Sequence, residues 1–325
     1  MMKRIALGFP LSWNHRRSCS LSAIAGAGQS PYFIHWDPGR GVYGEDWDEN
    51  PRDENGVMLT GPEGHYHAIR ISQFALHLHE RWCIDRDEDA RADFLKQAVW
   101  LRDSQETAPI PGIYKFNFPW PKYGARAGWV SAMGQGEAIS ALLRADHMWP
   151  GKGFGDAAWR AAEPFRYDIP SGGVVWRNGS NVFFEEVANV NAPHILNGCI
   201  FALWGLWELW VTSPEAWQGE LIERCVETLR RWLPLYDTGW WTLYSLMRAA
   251  TGRTHLATLK YHAFHIAQMK ILGAMFDEPE FTKAAERWTS YIDERSSRGR
   301  LLASTMISLP ERFLHLDTVA GGAHT

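Results

Sequence analysis

Residues 181–198 read N-V-F-F-E-E-V-A-N-V-N-A-P-H-I-L-N-G. The stretch begins as an aromatic, strand-forming run, passes the adjacent acids Glu185 and Glu186, and enters the most apolar segment of the chain. An Asn-Gly pair just before it, Asn178 and Gly179, predicts a β-hairpin with a two-residue turn. Because neighbouring side chains on a strand point to opposite faces, we expect only one of the two acids to reach a cleft. The sequence therefore predicts a hairpin that directs one carboxylate toward the start of a buried helix.

The rest of the chain is predicted to be mainly helical. From about residue 64, apolar side chains recur at helical spacing, as at Ala68, Ile71 and Phe74. The helices come in consecutive pairs without a sequence repeat, which disfavours a regular solenoid. Such pairs favour a mainly all-α fold, an incomplete α/α toroid of helical hairpins with the β-hairpin inserted at its cleft and the first helix of each pair on the inner wall. Further helices are predicted at residues 90–105, 133–148, 156–166, 193–212, 214–232, 240–250, 260–276 and 280–295.

Composition divides the chain into three parts. Residues 1–60 lack helical periodicity and are rich in Gly, Pro, Asp and aromatic residues, so they are predicted to form an extended N-terminal arm. The acidic segment 44–56 is predicted to be a solvated turn, because Pro51 stands where a calcium-binding EF-hand loop needs glycine. Residues 61–295 form the predicted toroid, which would be the catalytic domain. Residues 296–325 form a polar C-terminal tail.

Composition and charge also narrow the classes of function. With 22% charged and 46% hydrophobic residues among 325, the chain has the composition of an ordinary globular protein. A formal net charge of -4 gives no overall attraction to nucleic acid. The four cysteines are scattered, which predicts neither a disulfide framework nor a zinc site. The N-terminal apolar run is too short for a secretory signal and polar residues interrupt residues 195–211, so we expect no membrane span and a cytoplasmic location. Surface aromatic residues would allow a homodimer, although no interface is specified.

Five predicted helix starts are rich in Tyr, His, Gln or Asn. A helix N-terminus offers unpaired backbone N–H groups and the positive end of the helix dipole. Several of them converging on one face of the ring would suit an anionic substrate. The alternative is that these residues are ordinary caps and aromatic packing. The segments are G-H-Y-H (64–67), S-A-M-G-Q-G-E (131–137), N-V-N-A-P-H (189–194), Y-D-T-G-W-W-T-L-Y (236–244) and K-Y-H-A-F-H (260–265).

Seven segments between about residues 60 and 295 resemble the D-glucuronyl C5-epimerase family, in that family's order. The resemblance implies an α/α toroid with a β-hairpin in the cleft and chemistry that needs no metal or organic cofactor. It implies that D-glucuronate is converted to L-iduronate within heparan-type chains, so that the partner is a uronate-containing polysaccharide. The segments are G-H-Y-H-A-I-R-I-S-Q-F-A-L (64–76), W-V-S-A-M-G-Q-G-E-A-I-S-A-L-L-R-A (129–145), F-F-E-E (183–186), H-I-L-N-G-C-I-F-A-L-W-G-L-W-E-L (194–209), L-P-L-Y-D-T-G (233–239), T-L-Y (242–244) and Y-H-A-F-H-I-A-Q (261–268).

The resemblance also implies roles for individual residues. It implies a catalytic glutamate at Glu186, reactive tyrosines at Tyr244 and Tyr261, and a further functional tyrosine at Tyr66. The chain departs from the family pattern near these positions, with Val187 where the family has tyrosine. The segment S-L-M-R (245–248) departs from the family's arginine and histidine after T-I-Y, and V-A-N-V-N (187–191) replaces Y-P-T-T-P. We expect these departures to affect which polymer is recognised more than the type of reaction.

Epimerisation at C5 of a uronate requires groups on both faces of the sugar ring. A base removes the proton next to the carboxylate, and an acid within about 3 Å of C5 returns a proton from the opposite face. Cations or hydrogen-bond donors must stabilise the charge that gathers on the carboxylate. Burial on a hairpin would raise the pKa of Glu186 toward neutrality and suit it to act as the base, with Tyr261 or Tyr244 on the other face.

Eight further side chains are candidates for substrate binding, and each has a structural alternative. Cationic residues could bind the carboxylate, although a histidine on a helix is more often a hydrogen-bonded structural residue. Polar residues near helix starts could bind sugar hydroxyls, although a buried asparagine could equally bond to the backbone. For the first acid of the pair a solvent-exposed or salt-bridge role is favoured. The cationic candidates are Arg177, Arg248, His262 and His265, and the others are Gln135, Glu137, Asn197 and Glu185.

Two other functions stay open at this point. A polysaccharide lyase would use the same proton abstraction and then expel the C4 oxygen. A non-catalytic glycan-binding module would keep the cleft and lack the activity, although the joint presence of Glu186, Tyr244 and Tyr261 argues against it.

Overall fold

The computed structural model describes residues 24, 26–35, 47, 50–248 and 254–301. Within these residues lie eight complete α-helices, part of a further helix at residues 295–301, and two antiparallel sheets of two strands each. The helices are α1 Ala68–Asp85, α2 Glu88–Asp103, α3 Ala132–Met148, α4 Phe154–Ala162, α5 Leu196–Thr212, α6 Ala216–Tyr236, α7 Leu259–Phe276 and α8 Pro279–Asp293. The strands are β1 Val175–Asn178, β2 Asn181–Phe184, β3 Leu243–Arg248 and β4 Thr254–Leu256.

The helices alternate between inner and outer positions. α1, α3, α5 and α7 are buried on nearly all sides, whereas α2, α4, α6 and α8 each bury one face. Each inner helix packs against the outer helix that follows it, and α1 packs on α3, α3 on α5, and α5 on α7. A ring of helical hairpins with the first helix of each pair inside is the α/α toroid that the periodicity predicted.

Local sequence explains where several helices begin. The side chains of His67, Asp87, Ser131 and Thr258 cap α1, α2, α3 and α7 by accepting a hydrogen bond from a backbone N–H in the first turn. Such a cap satisfies one of the N–H groups that have no partner inside the helix. The residues that made the helix starts look unusual in sequence therefore include ordinary caps.

A buried ion pair joins α3 to α5. The guanidinium of Arg144 donates to both carboxylate oxygens of Glu208, at 3.1 and 2.8 Å, and both side chains are fully buried. The same guanidinium donates to the carbonyls of Ser30 and Ser140, and Glu208 accepts from the backbone of Gly28. The pair therefore also fixes part of the N-terminal arm, residues 26–35, against the core.

The first hairpin, β1–β2, is the one that the Asn-Gly pair predicted, with a shift of one residue in its turn. Asn178 pairs with Asn181, so the two-residue loop is Gly179 and Ser180. Gly179 has a φ of 57° and stands first in the loop, which is the position that a type II′ turn reserves for glycine. The hairpin packs on α6, where the Thr228 hydroxyl accepts a hydrogen bond from the backbone N–H of Val182.

The helix predicted at residues 240–250 is wrong. Residues 243–248 form strand β3, which pairs with β4 and also bridges to Ile195 through Ser245. The segment W-W-T-L-Y is rich in aromatic residues that fit a strand as well as a helix, and the tertiary pairing decides between the two. Tyr244 is therefore presented from a strand.

The ends of the chain are described in part. Tyr32 and Phe33 of the arm pack against Trp204 of α5. Residues 295–301 are helical, so the tail predicted from residue 296 begins as helix, and residues 302–325 lie outside the described part. The acidic segment 44–56 is described at residue 47 and from residue 50 onward, and its other residues lie outside the described part. Among the described helices, none has the length and apolar character needed to cross a membrane.

Candidate active site

The chain beyond strand β2 carries the two adjacent acids into the interior. Its backbone is held on both sides: Glu185 donates to the Val174 carbonyl and accepts from Ala132, and Ala188 donates to Val130. These hydrogen bonds join the chain after β2 to the segment at the start of α3. The two carboxyl groups are therefore presented from a fixed backbone.

The side chains of Glu185 and Glu186 have different surroundings. Glu185 is fully buried and forms an ion pair with the His194 ring, and it also accepts from the His194 backbone N–H at 3.1 Å. Burial raises the pKa of Glu185, while the contact with His194 lowers it. Glu186 lines an internal cavity instead. Strand alternation thus directs the Glu185 carboxyl to His194 and the Glu186 carboxyl to the cavity.

The cavity lies between the inner ends of the hairpin and helices α1, α3, α5 and α7. It is narrow, because the centre of a water-sized sphere has only about 10 Å³ in which to move. That is enough for about one water molecule. Its lining is largely apolar and aromatic with a few polar groups, which is typical of a small-molecule site. The lining residues are His67, Ile69, Gln73, Trp120, Met133, Glu186, Asn197, Phe201, Tyr261 and Phe264.

The protonation of Glu186 is set by its surroundings. Burial and the nearby charge of Glu185 raise the pKa of its carboxyl, while Lys122 and a hydrogen bond from Tyr244 lower it, and together they bring the pKa to about 8. Its Oε2 atom is buried and makes no hydrogen bond to any described residue. The group is thus a carboxyl that changes protonation near neutral pH and has one oxygen available for a ligand.

The raised pKa of Glu186 makes stability depend on pH. Between about pH 4.5 and 8 the folded protein keeps a proton that the unfolded chain has released, so this carboxyl increasingly destabilises the fold as pH rises, and does so fully above pH 8. Relative to Glu186→Gln, we expect the wild type to lose of the order of 3 kcal/mol between pH 4.5 and 7. Denaturant unfolding of both proteins across this range would measure the difference. If the free energy of unfolding of both proteins changed with pH in the same way, the pKa of Glu186 would not be raised in the folded protein.

The three predicted tyrosines occupy different positions. Tyr261, in the first turn of α7, lines the cavity with Glu186. Tyr244 lies behind it, hydrogen-bonded to Glu186 and with its ring centre 4.6 Å from that of Tyr261 in an edge-to-face contact. Tyr66 lies outside the cavity, 43% exposed, with its hydroxyl donating to Asp53 and its ring stacked on Trp100.

Of the polar candidates near helix starts, Asn197 lines the cavity and Gln135 does not. Asn197 Oδ1 is buried without a hydrogen bond to any described residue. The Gln135 amide is used by the backbone, because it accepts from Tyr114 and donates to the carbonyls of Gly112 and Ala161. Glu137 is buried beside the cavity and accepts from Gln73, and burial raises its pKa well above the usual value. Gln135 therefore has a structural role here.

The two candidate histidines of α7 are both buried away from the cavity lining. His262 stacks on Trp241, with ring centres 3.8 Å apart, and its Nε2 lies 2.9 Å from the Trp288 carbonyl, so Nε2 carries the proton. Both histidines bond to the Thr242 hydroxyl through Nδ1, at 2.8 and 3.0 Å. Burial lowers the pKa of His262 to about 4 and that of His265 well below its usual value. Both neutral histidines therefore connect α7 to Thr242, the residue that precedes β3.

Of the two candidate arginines, the structure describes the side chain of Arg177 alone. Arg177 lines a separate surface pocket on the outer side of the hairpin. Arg248 ends strand β3, and its side chain lies outside the described part. Lys122 is the cation whose charge reaches Glu186.

Four cavity or near-cavity residues were missed in the sequence: His67, Gln73, Trp120 and Lys122. Burial lowers the pKa of His67 to about 3, and its Nδ1 accepts from the Arg70 backbone, so the neutral ring carries its proton on Nε2 and can donate it. His67 lies in the helix-start segment G-H-Y-H, in which Tyr66 was the predicted functional residue. Trp120 and Lys122 belong to the connection between α2 and α3, which has no helical or strand periodicity that would single them out. Among the described residues, no group of three or more His, Cys, Asp or Glu side chains could hold a metal ion.

Comparisons with known proteins found similar sequences. The family model of the D-glucuronyl C5-epimerase C-terminus matches residues 110–290. D-glucuronyl C5-epimerase of Caenorhabditis elegans is 32% identical over 177 residues, which are 50% of this chain but 29% of that protein. An uncharacterized protein of Methanocaldococcus jannaschii is 24% identical over 220 residues, 63% of this chain and 70% of that one. The chain thus corresponds to less than a third of the nematode relative.

Solved structures share the fold. Cellobiose 2-epimerase from Bacillus thermoamylovorans superposes with a TM-score of 0.57 at 10% identity, covering 76% of this chain and 66% of that one. Cellobiose 2-epimerase from Spirochaeta thermophila gives 0.54 at 14% identity, covering 75% and 65%. At such low identity the similarity is one of fold, and it agrees with an α/α toroid.

Proposed function

The chain belongs to the family of the D-glucuronyl C5-epimerase C-terminus, and from that premise we propose that it epimerises uronate residues at C5. The proposed substrate is D-glucuronate within a heparosan-like or other uronate polysaccharide, and the product is L-iduronate. One observation carries the proposal: Glu186 and Tyr261 line the same cavity, and the pKa of the buried Glu186 carboxyl is about 8. A general acid–base works best when its pKa lies near the working pH.

In the proposed reaction, the Glu186 carboxylate takes the C5 proton. The electron pair of the C5–H bond moves toward the uronate carboxylate, and the Tyr261 hydroxyl then donates a proton to C5 from the opposite face. This leaves a protonated Glu186 and a tyrosinate. We assign to Tyr244 the return of the proton between them, because it is hydrogen-bonded to Glu186 and in ring contact with Tyr261. No proton is then gained or lost in a full cycle, and because carboxyl and hydroxyl protons exchange with solvent between turnovers, the hydrogen that Tyr261 returns to C5 derives from solvent.

The charge that gathers on the uronate carboxylate needs donors. The proposed donors are the Nε2–H of His67 and the side-chain amide of Asn197, both in the cavity lining, with the positive charge of Lys122 nearby. Donors fixed in place before the reaction lower its barrier more than donors that must reorient. The absence of the family's tyrosine at Val187 is compatible with this assignment, since Val187 is fully buried in the core.

The cavity must widen to admit a sugar ring. About 10 Å³ of free space accepts one water, whereas a sugar needs many times that. Three lining residues are partly exposed and so border its entrance: His67, Trp120 and Tyr261. We expect Trp120, which comes from the connection between α2 and α3, to move when the polymer binds.

Gly198 offers a test of how closely Glu186 must be positioned. A Cβ at this residue would lie 2.3 Å from Glu186 Oε2 and 2.5 Å from Glu186 Cβ, so Gly198→Ala must displace the carboxyl. We expect about a hundredfold loss of epimerisation rate, the effect of a misplacement of about 1 Å. Rates and melting temperatures would be compared with those of Gly299→Ala, where an added Cβ meets nothing within 4 Å. A Gly198→Ala protein with wild-type rates would contradict the proposed position of Glu186.

Product analysis tests the proposed function. Incubation of the protein with a glucuronate polymer should produce L-iduronate residues, seen by NMR, with no change in chain length. A lyase would instead produce shorter chains with unsaturated uronate ends that absorb in the ultraviolet. Folded protein that does neither on several uronate polymers would overturn the proposal and favour a glycan-binding module.

A further inference from the structure

A second pocket lies on the outer side of the hairpin β1–β2, apart from the cavity that contains Glu186. Its space for the centre of a water-sized sphere is about 290 Å³, against about 10 Å³ in the inner cavity. A space of this size is at the lower end of ordinary ligand pockets. It is lined by Phe165, Arg166, Arg177, Trp217, Glu220, Leu221 and Arg224.

We propose that this pocket binds an acidic sugar residue of the same polysaccharide chain, at a distance from the residue that reacts. The inference rests on the proposed function for the identity of the polymer. It assigns to Arg177 a role in substrate binding outside the reaction cavity.

Charge is the first argument. Three guanidinium groups and one carboxylate line the pocket, which leaves a local positive excess on a chain whose net charge is -4. Partial burial and the nearby positive charge of Arg224 lower the pKa of Arg177, while Asp168 and Glu220 act in the opposite direction. An arginine can donate two parallel hydrogen bonds to one carboxylate, which suits the acid group of a uronate.

The availability of donors is the second argument. Among the described residues, Arg177 makes no hydrogen bond and no ion pair within 4.0 Å, although Asp168 and Glu220 contribute negative charge nearby. Arg224 uses one nitrogen for the Gly179 carbonyl at 3.3 Å, and Arg166 lies 3.8 Å from Glu163. The Arg177 guanidinium therefore has its donors open toward the pocket.

Aromatic side chains are the third argument. Trp217 is half-buried, and the Arg166 guanidinium lies 5.1 Å from the centre of its ring. Phe165 forms a buried part of the wall and packs edge-to-face on Phe184 of β2. Tryptophan and arginine are enriched among the residues that dominate the binding energy of protein–protein interfaces, because they supply a large contact area and directed hydrogen bonds.

The hairpin connects the two sites. Arg177 pairs with Val182 across the hairpin, and Glu186 follows Val182 by four residues. Four residues of extended chain span about 13 Å. A chain of several sugars could then occupy both sites, and binding at one would raise the effective concentration at the other.

Equilibrium binding tests the inference without turnover. In the Glu186→Gln background, a glucuronate polymer and a disaccharide cut from it are titrated into proteins with and without Arg177→Gln. We expect Arg177→Gln to weaken binding of the polymer about tenfold, as the loss of a charged hydrogen-bonded pair does, with no change for the disaccharide. Arg177→Lys should recover part of the loss, since it keeps the charge and loses the planar fork.

The matched control is Arg230→Gln on α6, which removes a half-buried arginine that is paired with Glu227 and lies outside the pocket. An equal loss of polymer binding in this control would mean diffuse electrostatics and would overturn the inference, as would unchanged polymer binding in Arg177→Gln. Sodium sulfate that binds at Arg177 where the polymer does not would identify a small-anion site and also overturn it. Epimerisation of the polymer by wild-type protein is measured separately, so turnover without Arg177-dependent binding would leave the proposed function standing while the second site fails.

Discussion

Glu186→Gln is expected to lower the rate of hydrogen exchange at C5 of a bound uronate by about 10²- to 10⁴-fold, the contribution of a positioned general acid–base. Glutamine keeps the size of the side chain and its capacity to accept a hydrogen bond, but it cannot take a proton. The buried carboxyl has a pKa of about 8, so the wild-type side chain exists in both forms near neutral pH. Hydrogen exchange into the polymer and binding of the polymer would be measured side by side. Binding should be retained.

Glu185→Gln is the matched control for that experiment. Glu185 is the adjacent acid, it is also buried, and its charge raises the pKa of Glu186. We expect this variant to keep the exchange reaction while the pH at which the rate rises shifts downward. If Glu186→Gln exchanges hydrogen at a rate near that of the wild type, Glu186 has no part in the chemistry.

Arg144→Met is expected to destabilise the protein by about 3–5 kcal/mol, because it leaves the Glu208 carboxylate buried and unpaired. The substitution also removes the donors to the carbonyls of Ser30 and Ser140. Both side chains of the pair are fully buried, so solvent does not screen the interaction. Urea denaturation would measure the loss.

The double substitution Arg144→Met with Glu208→Leu separates the charge from the packing. Replacing both partners of a buried ion pair by apolar residues is often neutral, so the double variant should recover much of the stability. Recovery should be incomplete, because the carbonyls of Ser30 and Ser140 stay without that donor. A loss below about 1 kcal/mol in Arg144→Met, the range of an exposed pair, would contradict the burial of this pair.

The architecture of the ring and the direction of the hairpin could be predicted from local patterns. Helical spacing marked the inner and outer helices, and strand alternation predicted that Glu185 and Glu186 would diverge. These patterns are local, and the tertiary structure supports them. Strand β3 was the exception, because a short aromatic segment carries no periodicity that separates strand from helix. Its pairing with β4 and its bridge to Ile195 decide its conformation, and neither contact is local.

The lining of the cavity was predictable only in part. Tyr261 stands in a helix-start segment that the sequence singled out, Asn197 was a candidate near another predicted helix start, and both line the cavity. Tyr66 and Gln135 came from the same kind of segment and do not, because Tyr66 bonds to Asp53 and Gln135 to three backbone groups. Composition alone does not show which partner a polar side chain will find.

Contacts between distant parts of the chain could not be predicted from the sequence. Lys122 influences Glu186 from an irregular connection, and Arg144 meets Glu208 across 64 residues. Arg177 was predicted as a substrate-binding residue on charge alone, and the hairpin turns it to the outer pocket. Each of these depends on the path of the backbone in three dimensions.

Incubation of the wild-type protein with a glucuronate polymer in D₂O tests the central claim most directly. The claim is that this chain removes the C5 proton of a uronate and returns a hydrogen from solvent. The expected result is deuterium at C5, measured by NMR and mass spectrometry, together with L-iduronate residues in chains of unchanged length. Folded protein that leaves C5 free of deuterium, or that produces unsaturated ends instead of L-iduronate, would contradict it.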